Sequence, residues 1–589
     1  MPNSLGPAEL LLHYGTDEQK KRFLPRLARG EEIPCFALTG PEAGSDAASL
    51  RAEGVVCKGS YEGREVLGMR MNWAKRYSTL GPISTIIGLA FKLRDPEKLL
   101  GGETDLGITV ALIPTNTPGV ESGARHDPLG IPFHNGPNFG RNVFVPLEFI
   151  IGGTKMAGQG WRMLMQNLAA GRGVSLPSLS VGAGELSVRV CGAYATIRKQ
   201  FGGAIGRFEG IEEPLARVGG LTYMMNAARV VTLGAIDSGE KPAVVTAIVK
   251  RYLTENMRTV VNDAMDIQAG AAISRGPRNT LAHTYMSVPI GITVEGANIL
   301  TRTLIVFGQG AIRCHPYVQA EIRAVAARDI AAFDRAFFSH IGFTIGHAVR
   351  ALVLGLTGAI FVFPPARGRS RGFLRQITRL SSGFALVSDI SMAVLGGRLK
   401  RLEKISGRLA DVLAYMYIAS ACVKKFHDDG TPKPDRPVFR WACDFAIHQA
   451  QTSLVGVFDN FPNRFVATVL RRIVFPFGPR LKPPSDIVGA RVARSLLDGG
   501  ATWESLTRDI YIPKNGEPGL GKLEATLRKV VGAAPIEEKI RSAVKARRIA
   551  KLHGDALIDA AVGAGVITTE EREIIRDAEV ARDDAIQVD

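Results

Sequence analysis

The sequence predicts a mainly α protein with a central β domain, an α+β chain of several domains, and three observations carry that prediction. Its 589 residues exceed the usual size of a single hydrophobic core, so two to four domains are expected. From Ala37 to about Gly153, apolar residues fall in short alternating or β-rich runs broken by Gly, Pro and Asn, the texture of strands and turns. After Gly160-Trp161 the apolar spacing becomes helical and stays so to the end of the chain.

Taken in order, Thr16-Asp-Glu-Gln19 has the spacing of a capping box and should open a helix through Arg22 and Phe23, with Gly30 as its stop. Strands are expected at Ile83–Ile87, Ile108–Ile113 and Asn142–Val145. Long periodic stretches around Ser180–Gln200, Pro214–Ser238 and Ala243–Ala269 read as antiparallel helices of a bundle. The last section is helical with Pro/Gly breaks near Pro364–Gly372, Gly430–Pro437, Pro476–Pro484 and Pro513–Gly521. These textures divide the chain into 1–34 (helical), 35–158 (β), 159–327 (helical bundle) and 328–589 (helical extension), with Asp577–Asp589 read as a frayed polar tail.

A formal charge of +17 favours an anionic partner: a polyphosphate ligand, an acidic lipid surface or nucleic acid. Nucleic acid is disfavoured, because the basic residues are dispersed rather than gathered on one helix with interleaved aromatics. Cys35, Cys57, Cys191, Cys314, Cys422 and Cys443 lack CxxC or Cys/His ligand spacing, so no metal is expected and the thiols read as reduced and buried. The Cys314-His315 pair reads as structural. Nothing at the N-terminus resembles a cleaved signal, so a cytoplasmic location is expected. The longest apolar run, Ala351–Pro364, is too short to span a bilayer and is followed by Arg367, Arg369 and Arg371, which suits buried core or a bilayer surface, making the location possibly peripheral to a bacterial inner membrane.

Two segments define the chemistry: Phe36-Ala-Leu-Thr-Gly-Pro-Glu-Ala-Gly-Ser-Asp46 and Thr293-Val-Glu-Gly-Ala-Asn-Ile-Leu-Thr-Arg302. The first resembles the flavin-contacting signature of the acyl-CoA dehydrogenases and the second the segment carrying their catalytic glutamate. Between them, in the family's order, lie Lys75-Arg-Tyr-Ser-Thr79, Arg198-Lys-Gln-Phe-Gly202 and Gln268-Ala-Gly-Ala-Ala272. Pro2–Pro7, Phe307–Pro316, Gly396–Arg401 and Phe461–Arg464 are similar to the bacterial long-chain, FadE-type branch. The resemblance implies a helical, β-barrel and helical-bundle architecture with a helical C-terminal extension. It also implies several helices ahead of Pro2, so 1–34 is expected to be the remnant of a helical domain in a chain N-terminally truncated relative to the family.

The resemblance assigns the roles. Glu295, with the backbone N–H of the Glu295-Gly296 segment, is the catalytic base and carbonyl polariser, and apolar neighbours Ile292, Val294, Ile299 and Leu300 should raise its proton affinity. Leu38, Thr39, Ser45, Tyr77 and Thr79 are expected at the flavin, with Ser45 and Arg172 also at the substrate. Arg198, Gln200 and Phe201 are expected at the FAD pyrophosphate of a partner subunit, which arginine's forked donors suit, and Gln268 and Gly270 where the backbone approaches the cofactor. Ala271 and Ala272 stand where the family has smaller residues and are expected to crowd that group. The implied protein is an FAD-dependent dehydrogenase of medium/long-chain fatty acyl-CoA in β-oxidation, a homodimer passing electrons to an electron-transfer flavoprotein. The rivals are a flavin-bearing nucleic-acid binder of the alkylation-response kind and a truncated inactive paralogue. Gly516-Glu-Pro-Gly-Leu-Gly-Lys522 mimics a phosphate-binding loop, but Leu523 replaces the required Ser/Thr.

Overall fold

The structure, a computed structural model, describes residues 2–514 and 516–588, with side chains of 2–5, 167–171 and 313 outside the description. The chain forms two compact units. The first comprises Met1–Leu176, Leu233–Lys250 and Pro289–Thr301; the second comprises Pro177–Thr232, Arg251–Val288 and Arg302–Asp589.

The first unit opens with α1 (Pro2–Tyr14) and α2 (Asp17–Arg29). The sequence signals for α2 act as expected: Thr16 and Gln19 form the reciprocal capping box, and Gly30 closes the helix at φ +71. Buried Gln19 docks α2 on the β domain through its amide, which donates to the carbonyls of Glu148 (2.8 Å) and Ile150 (2.7 Å). That domain is a seven-stranded sheet of β1 (Pro34–Ala37), β2 (Glu53–Tyr61), β3 (Arg64–Thr79), β4 (Ile86–Arg94), β5 (Asp105–Pro114), β6 (Val120–Ser122) and β7 (Asn135–Pro146). Its order is β1-β4-β2-β3-β7-β6, with β5 antiparallel on β4. Strands β1 and β2 pair in parallel with successive stretches of β4, Pro34–Ala37 against Ile86–Leu89 and Glu53–Val55 against Lys92–Arg94. The expected strand at Ile83–Ile87 is displaced: Gly81–Ile83 is a 3-10 turn, with Pro82 unable to donate to a ladder, and β4 begins at Ile86.

Helix α3 (Gly160–Ile197) passes from the first unit to the second, where α4 (Glu209–Asp237) and α5 (Ala243–Gln268) continue the bundle. Helix α3 starts some 20 residues before the expected Ser180 and stops before Gln200, because Lys199-Gln200 pairs with Gly203-Ala204 as β8 and β9. Shorter helices follow: α6 (Gly270–Ile273), α7 (Ala282–Thr293) and α8 (Asn298–Leu300). A π-helical stretch, Thr301–Gln309, then leads into α9 (Gly310–Arg313), α10 (Val318–Ala327), α11 (Ile330–Thr357) and α12 (Gly368–Leu395). The extension continues with α13 (Glu403–Asp428), α14 (Arg436–Asn460), α15 (Arg464–Val474), α16 (Asp486–Ser495), α17 (Ala501–Leu506), α18 (Leu520–Lys545), α19 (Gly554–Gly563) and α20 (Thr569–Ala585).

Within the second unit the extension shares a core with the bundle. Arg189 of α3 lies buried between Glu524 (2.6 Å) and Glu504 (2.9 Å), with its guanidinium 3.7 Å above the ring of Trp503. Such a pair removed from water is stable only because both partners and the hydrogen bonds are present together. At Gly220 of α4 a Cβ would come 2.0 Å from the ring of Trp441, so only glycine admits α14 at this distance.

Two expectations are corrected here. Asp577–Asp584 is not a frayed tail but part of α20, opened by a Thr568–Glu571 capping box and tied down by Lys529–Asp577, Lys199–Glu579 and the buried Arg582. Its polar residues are ion-paired to neighbouring helices, a tertiary fact that composition conceals. The Ala351–Pro364 run is not a separate element either. Its first half is the end of α11, a helix of 28 residues that is long and apolar enough to cross a membrane by length and composition, as is Gly368–Lys400.

Candidate active site

The segment bearing Glu295 sits in a turn between α7 and α8, where Glu295 (φ +57) and Gly296 (φ +93) are both left-handed. Glycine adopts this freely; a glutamate there stores roughly 1–3 kcal/mol that surrounding contacts must hold. Those contacts come from two cations. The ammonium of Lys250, fully buried on α5, donates to the carbonyls of Ile292 (3.0 Å) and Gly296 (2.7 Å) and to Asn298 Oδ1 (2.8 Å). Arg172 Nε donates to the carbonyl of Glu295 itself at 2.9 Å. The backbone on both sides of Glu295 is thereby pinned while its carboxyl stays free: Oε2 is buried without a hydrogen-bond partner. Burial pushes the Glu295 pKa up to about 7, with Arg172 and Lys250 opposing that rise. A buried carboxyl titrating near neutrality suits proton abstraction.

Lys250 and Asn298 escaped the sequence reading, because a lysine on an apolar helix carries no motif; only its burial and its three acceptors give it away. Arg172, expected at the substrate, is placed on the Glu295 carbonyl, and burial lowers its pKa. Of the apolar residues expected around Glu295, Ile299 points outward with 81% of its surface exposed.

The other residues expected at the flavin also lie in the first unit. Leu38 and Thr39 follow β1 and are fixed from β3: buried Lys75 donates to the Leu38 carbonyl at 2.7 Å, and the Arg76 N–H donates to the Thr39 carbonyl at 2.9 Å. Burial lowers the Lys75 pKa to about 7. Opposite, the β3–β7 ladder slips between Lys75↔Asn138 and Ser78↔Gly136, a β-bulge. The bulge puts Tyr77 at φ +57 and leaves its side chain 63% exposed, its ring 5.4 Å from that of His126. Ser78, buried, accepts from Asn138 Nδ2 at 3.0 Å, and Thr79 is buried beside it. Ser45 is exposed in the turn before Asp46, whose carboxylate bonds Ser49.

The residues expected at the dinucleotide lie in the second unit. Arg198 follows the end of α3, and Gln200 precedes a two-residue turn with Phe201 (φ +50) and Gly202 (φ +79). Phe201 is 99% exposed, its ring edge-on to that of Phe208 at 6.1 Å. Gln268, buried at the end of α5, makes no side-chain hydrogen bond among the described residues and lines a small cleft with Ala271 and Thr280. Gly270 faces open space. Ala272 is fully buried in α6, while Ala271 borders the cleft. Asn279 organises this turn, donating to the carbonyls of Ala271 (3.1 Å), Ala272 (2.7 Å) and Ser274 (2.9 Å). The loop that mimics a phosphate-binding motif commits its Lys522 to Asp584 of α20.

One cluster was invisible in sequence. His315, His340 and Asp389 bring their ligand atoms within 4.8 Å of one another. His315 Nδ1 accepts from the N–H groups of Tyr317 and Val318 at 3.2 Å each, which places its proton on Nε2, facing Asp389 Oδ1 at 2.9 Å. That tautomer offers Asp389 a proton rather than offering a metal a lone pair. Among the cysteines, Cys314 is exposed, contrary to the expectation of buried thiols, while Cys35, Cys191, Cys422 and Cys443 are buried.

Models of one protein family match almost the whole chain. The acyl-CoA dehydrogenase N-terminal domain matches residues 1–31, the middle domain 35–142, the C-terminal domain 158–307, and the bacterial-type C-terminal acyl-CoA dehydrogenase domain 312–589. The chain therefore belongs to the acyl-CoA dehydrogenase family, FAD-dependent oxidoreductases. A 3-(aryl)acrylate reductase of Clostridium sporogenes is 32% identical over 308 residues, 52% of this chain and 75% of that one. The probable acyl-CoA dehydrogenase FadE10 of Mycobacterium tuberculosis is 23% identical over 521 residues, 85% of this chain and 72% of that one. Protein HemX of Proteus mirabilis is 58% identical over 104 residues, 18% of this chain and 61% of that one, so less than two thirds of HemX is spanned. In structure, an acyl-CoA dehydrogenase of Bacillus anthracis complexed with FAD shares the fold at a TM-score of 0.64 and 19% identity, over 83% of this chain and 80% of that one.

Proposed function

We propose that this protein is an FAD-dependent acyl-CoA dehydrogenase that converts medium/long-chain fatty acyl-CoA to trans-2-enoyl-CoA in fatty-acid β-oxidation. The observation that supports it most is Glu295: a buried carboxyl with a free oxygen and a pKa of about 7, on a left-handed turn held by Lys250 and Arg172. Glu295 takes the proton from the carbon next to the thioester, and the backbone N–H of its own segment donates to the thioester oxygen as charge builds there. Bound FAD supplies the acceptor for the hydride leaving the next carbon. Glu295 Oε2, buried without a hydrogen-bond partner, keeps its lone pairs for the substrate proton, and the Gln268 amide, which lines a cleft and makes no described hydrogen bond, suits a polar group of the cofactor. Leu38, Thr39, Ser45, Tyr77 and Thr79 would hold its ring end, Arg198, Gln200 and Phe201 would take the pyrophosphate of the FAD in a partner subunit, and Gln268 and Gly270 would let backbone approach the cofactor.

The reading includes a homodimer, electron-transfer flavoprotein as electron acceptor, and a cytoplasmic enzyme in peripheral contact with the inner membrane. A second reading, reduction of a 2-enoyl thioester, is favoured by the 32% identity to the Clostridium reductase and would use the same residues with Glu295 returning the proton. The deciding experiment is an anaerobic single turnover of flavin-loaded protein with palmitoyl-CoA, then with the corresponding 2-enoyl-CoA after chemical reduction of the flavin. Bleaching of the flavin by palmitoyl-CoA is expected; no bleaching, with reoxidation by the enoyl thioester, would establish the second reading instead.

A further inference from the structure

Helix α11 is amphipathic the wrong way round for a helix facing water. Part of its polar set turns inward: His340 Nδ1 lies 2.8 Å from Glu321 Oε1, and Thr344 Oγ1 donates to Asp389 Oδ2 at 3.0 Å, while Asp334, Arg335, Ser339 and Arg350 stay exposed. Its apolar side chains turn outward, where Phe338, Ile341, Ile345, Val349, Leu352 and Leu356 recur at helical spacing and are all exposed. Only 11% of the most apolar stretch of this helix is buried. The turn that follows adds exposed Ile360, Phe361 and Phe363, and α15, packed against α11, adds Phe465 and Val469. A continuous exposed surface of this kind marks an interaction site.

Charge identifies the occupant. No Asp or Glu occurs from Arg335 to Ser388, and none from Phe461 to Ser485. The cations in these stretches include Arg350, Arg367, Arg369, Arg472 and Arg480, none of which forms a salt bridge among the described residues. A second copy of the chain would set this same acid-free patch against itself and leave its arginines without an anionic partner. An anionic headgroup layer above an acyl phase complements both the arginines and the apolar stripe. Crossing the bilayer is disfavoured, because it would carry the His340, Glu321 and Asp389 group into the acyl phase.

We infer that the outer face of α11, with the turn after it and the exposed edge of α15, docks on an anionic lipid bilayer, the helix lying in the boundary between headgroups and acyl chains. This rests on the membrane contact within the proposed function and gives it a surface, a depth and a lipid class.

The test is co-sedimentation of the full, flavin-loaded protein with vesicles of phosphatidylcholine alone and of equal parts phosphatidylglycerol and phosphatidylcholine, at low and high salt. Binding to the anionic vesicles is expected, weakened by salt, with Arg367→Ala and Arg369→Ala each costing roughly fivefold in partitioning. Ile345→Glu with Val349→Glu, both on the exposed face, should reduce partitioning at least about tenfold while flavin content and dye-coupled turnover stay at wild-type values. Equal partitioning of the wild type to both lipids, or none to either, overturns the inference. So does a wild type that loses half its mass on gel filtration when the Ile345/Val349 pair is changed, which would make the face a subunit interface. Failure of dehydrogenation with normal vesicle binding would instead count against the enzymatic reading alone.

Discussion

The ammonium of Lys250 donates to the carbonyl of Gly296 at 2.7 Å, and the same nitrogen holds Ile292 and Asn298, so one buried cation grips the chain on both sides of Glu295. A carboxyl base is effective only if its oxygen stands still relative to the proton it removes. Here the side chain cannot be restrained directly without consuming the lone pairs it needs, and restraint is applied to the backbone instead.

Replacing Lys250 with Met keeps the length and removes all three donors. Loss of three charge-assisted hydrogen bonds in the interior should cost about 3 kcal/mol of stability, although the Gly296 carbonyl keeps its bond from Thr301 Oγ1. Freed of its clamp, the left-handed turn should relax, lowering kcat about a hundredfold with less than about a threefold change in KM. Stopped-flow reduction of the bound flavin measures the first and steady-state titration the second. A mutant that loses stability but keeps kcat would make Lys250 a packing residue only.

Glu295→Gln should retain flavin and lose at least about a thousandfold in turnover, because the amide is nearly isosteric and accepts no proton. The same change should stabilise the protein at alkaline pH. The folded pKa of Glu295 is raised above its ordinary 4.5, so its burial is tolerated below that value and destabilises progressively as pH rises to about 7. That gap is worth on the order of 3 kcal/mol, which the glutamine avoids. Thermal melts at pH 5 and pH 8 should show the mutant and wild type alike at the lower pH and the mutant higher at the other. A wild type as stable as the mutant at pH 8 would mean that Glu295 is already solvated.

The pH profile tests Arg172 separately. The base works only when ionised, so kcat/KM should climb through a pKa near 7. Arg172 is the larger of the two cationic influences holding that value down, and Arg172→Leu should move the rising limb to higher pH. An unmoved limb would show that the guanidinium acts on the Glu295 carbonyl alone.

What could be read in the sequence was what is local. Thr16, Gln19 and Gly30 signal a helix by chemistry that operates within a turn or two, and α2 has those ends. Glu295 was legible through its neighbours in the chain. The clamp was not, since Lys250 and Gly296 lie 46 residues apart and meet only when α5 packs beside the turn. The same limit hid the ion pairs that order α20 and the inverted polarity of α11, whose inward histidine and threonine look like ordinary surface residues until Glu321 and Asp389 are placed against them. The Ala351–Pro364 run was judged by its own length because no sequence signal joins it to the helix starting at Ile330.

Flavin retention should depend on residues of the second unit that do not touch the chemistry. Gln268 lines a small cleft and makes no side-chain hydrogen bond among the described residues, so its amide is available to a bound polar group. Arg198 supplies a permanent cation with forked donors beside the hairpin that presents Phe201. Arg198→Ala and Gln268→Ala should therefore lower flavin occupancy and raise the dissociation constant for added FAD, Arg198→Ala by roughly tenfold or more. Gln268→Ala should leave the melting temperature of flavin-free protein unchanged, because its amide faces the cleft and holds no other residue by a described hydrogen bond. Fluorescence titration with FAD and melts of the stripped protein separate a loss of binding from a loss of fold. If both mutants keep full flavin, the dinucleotide end lies elsewhere.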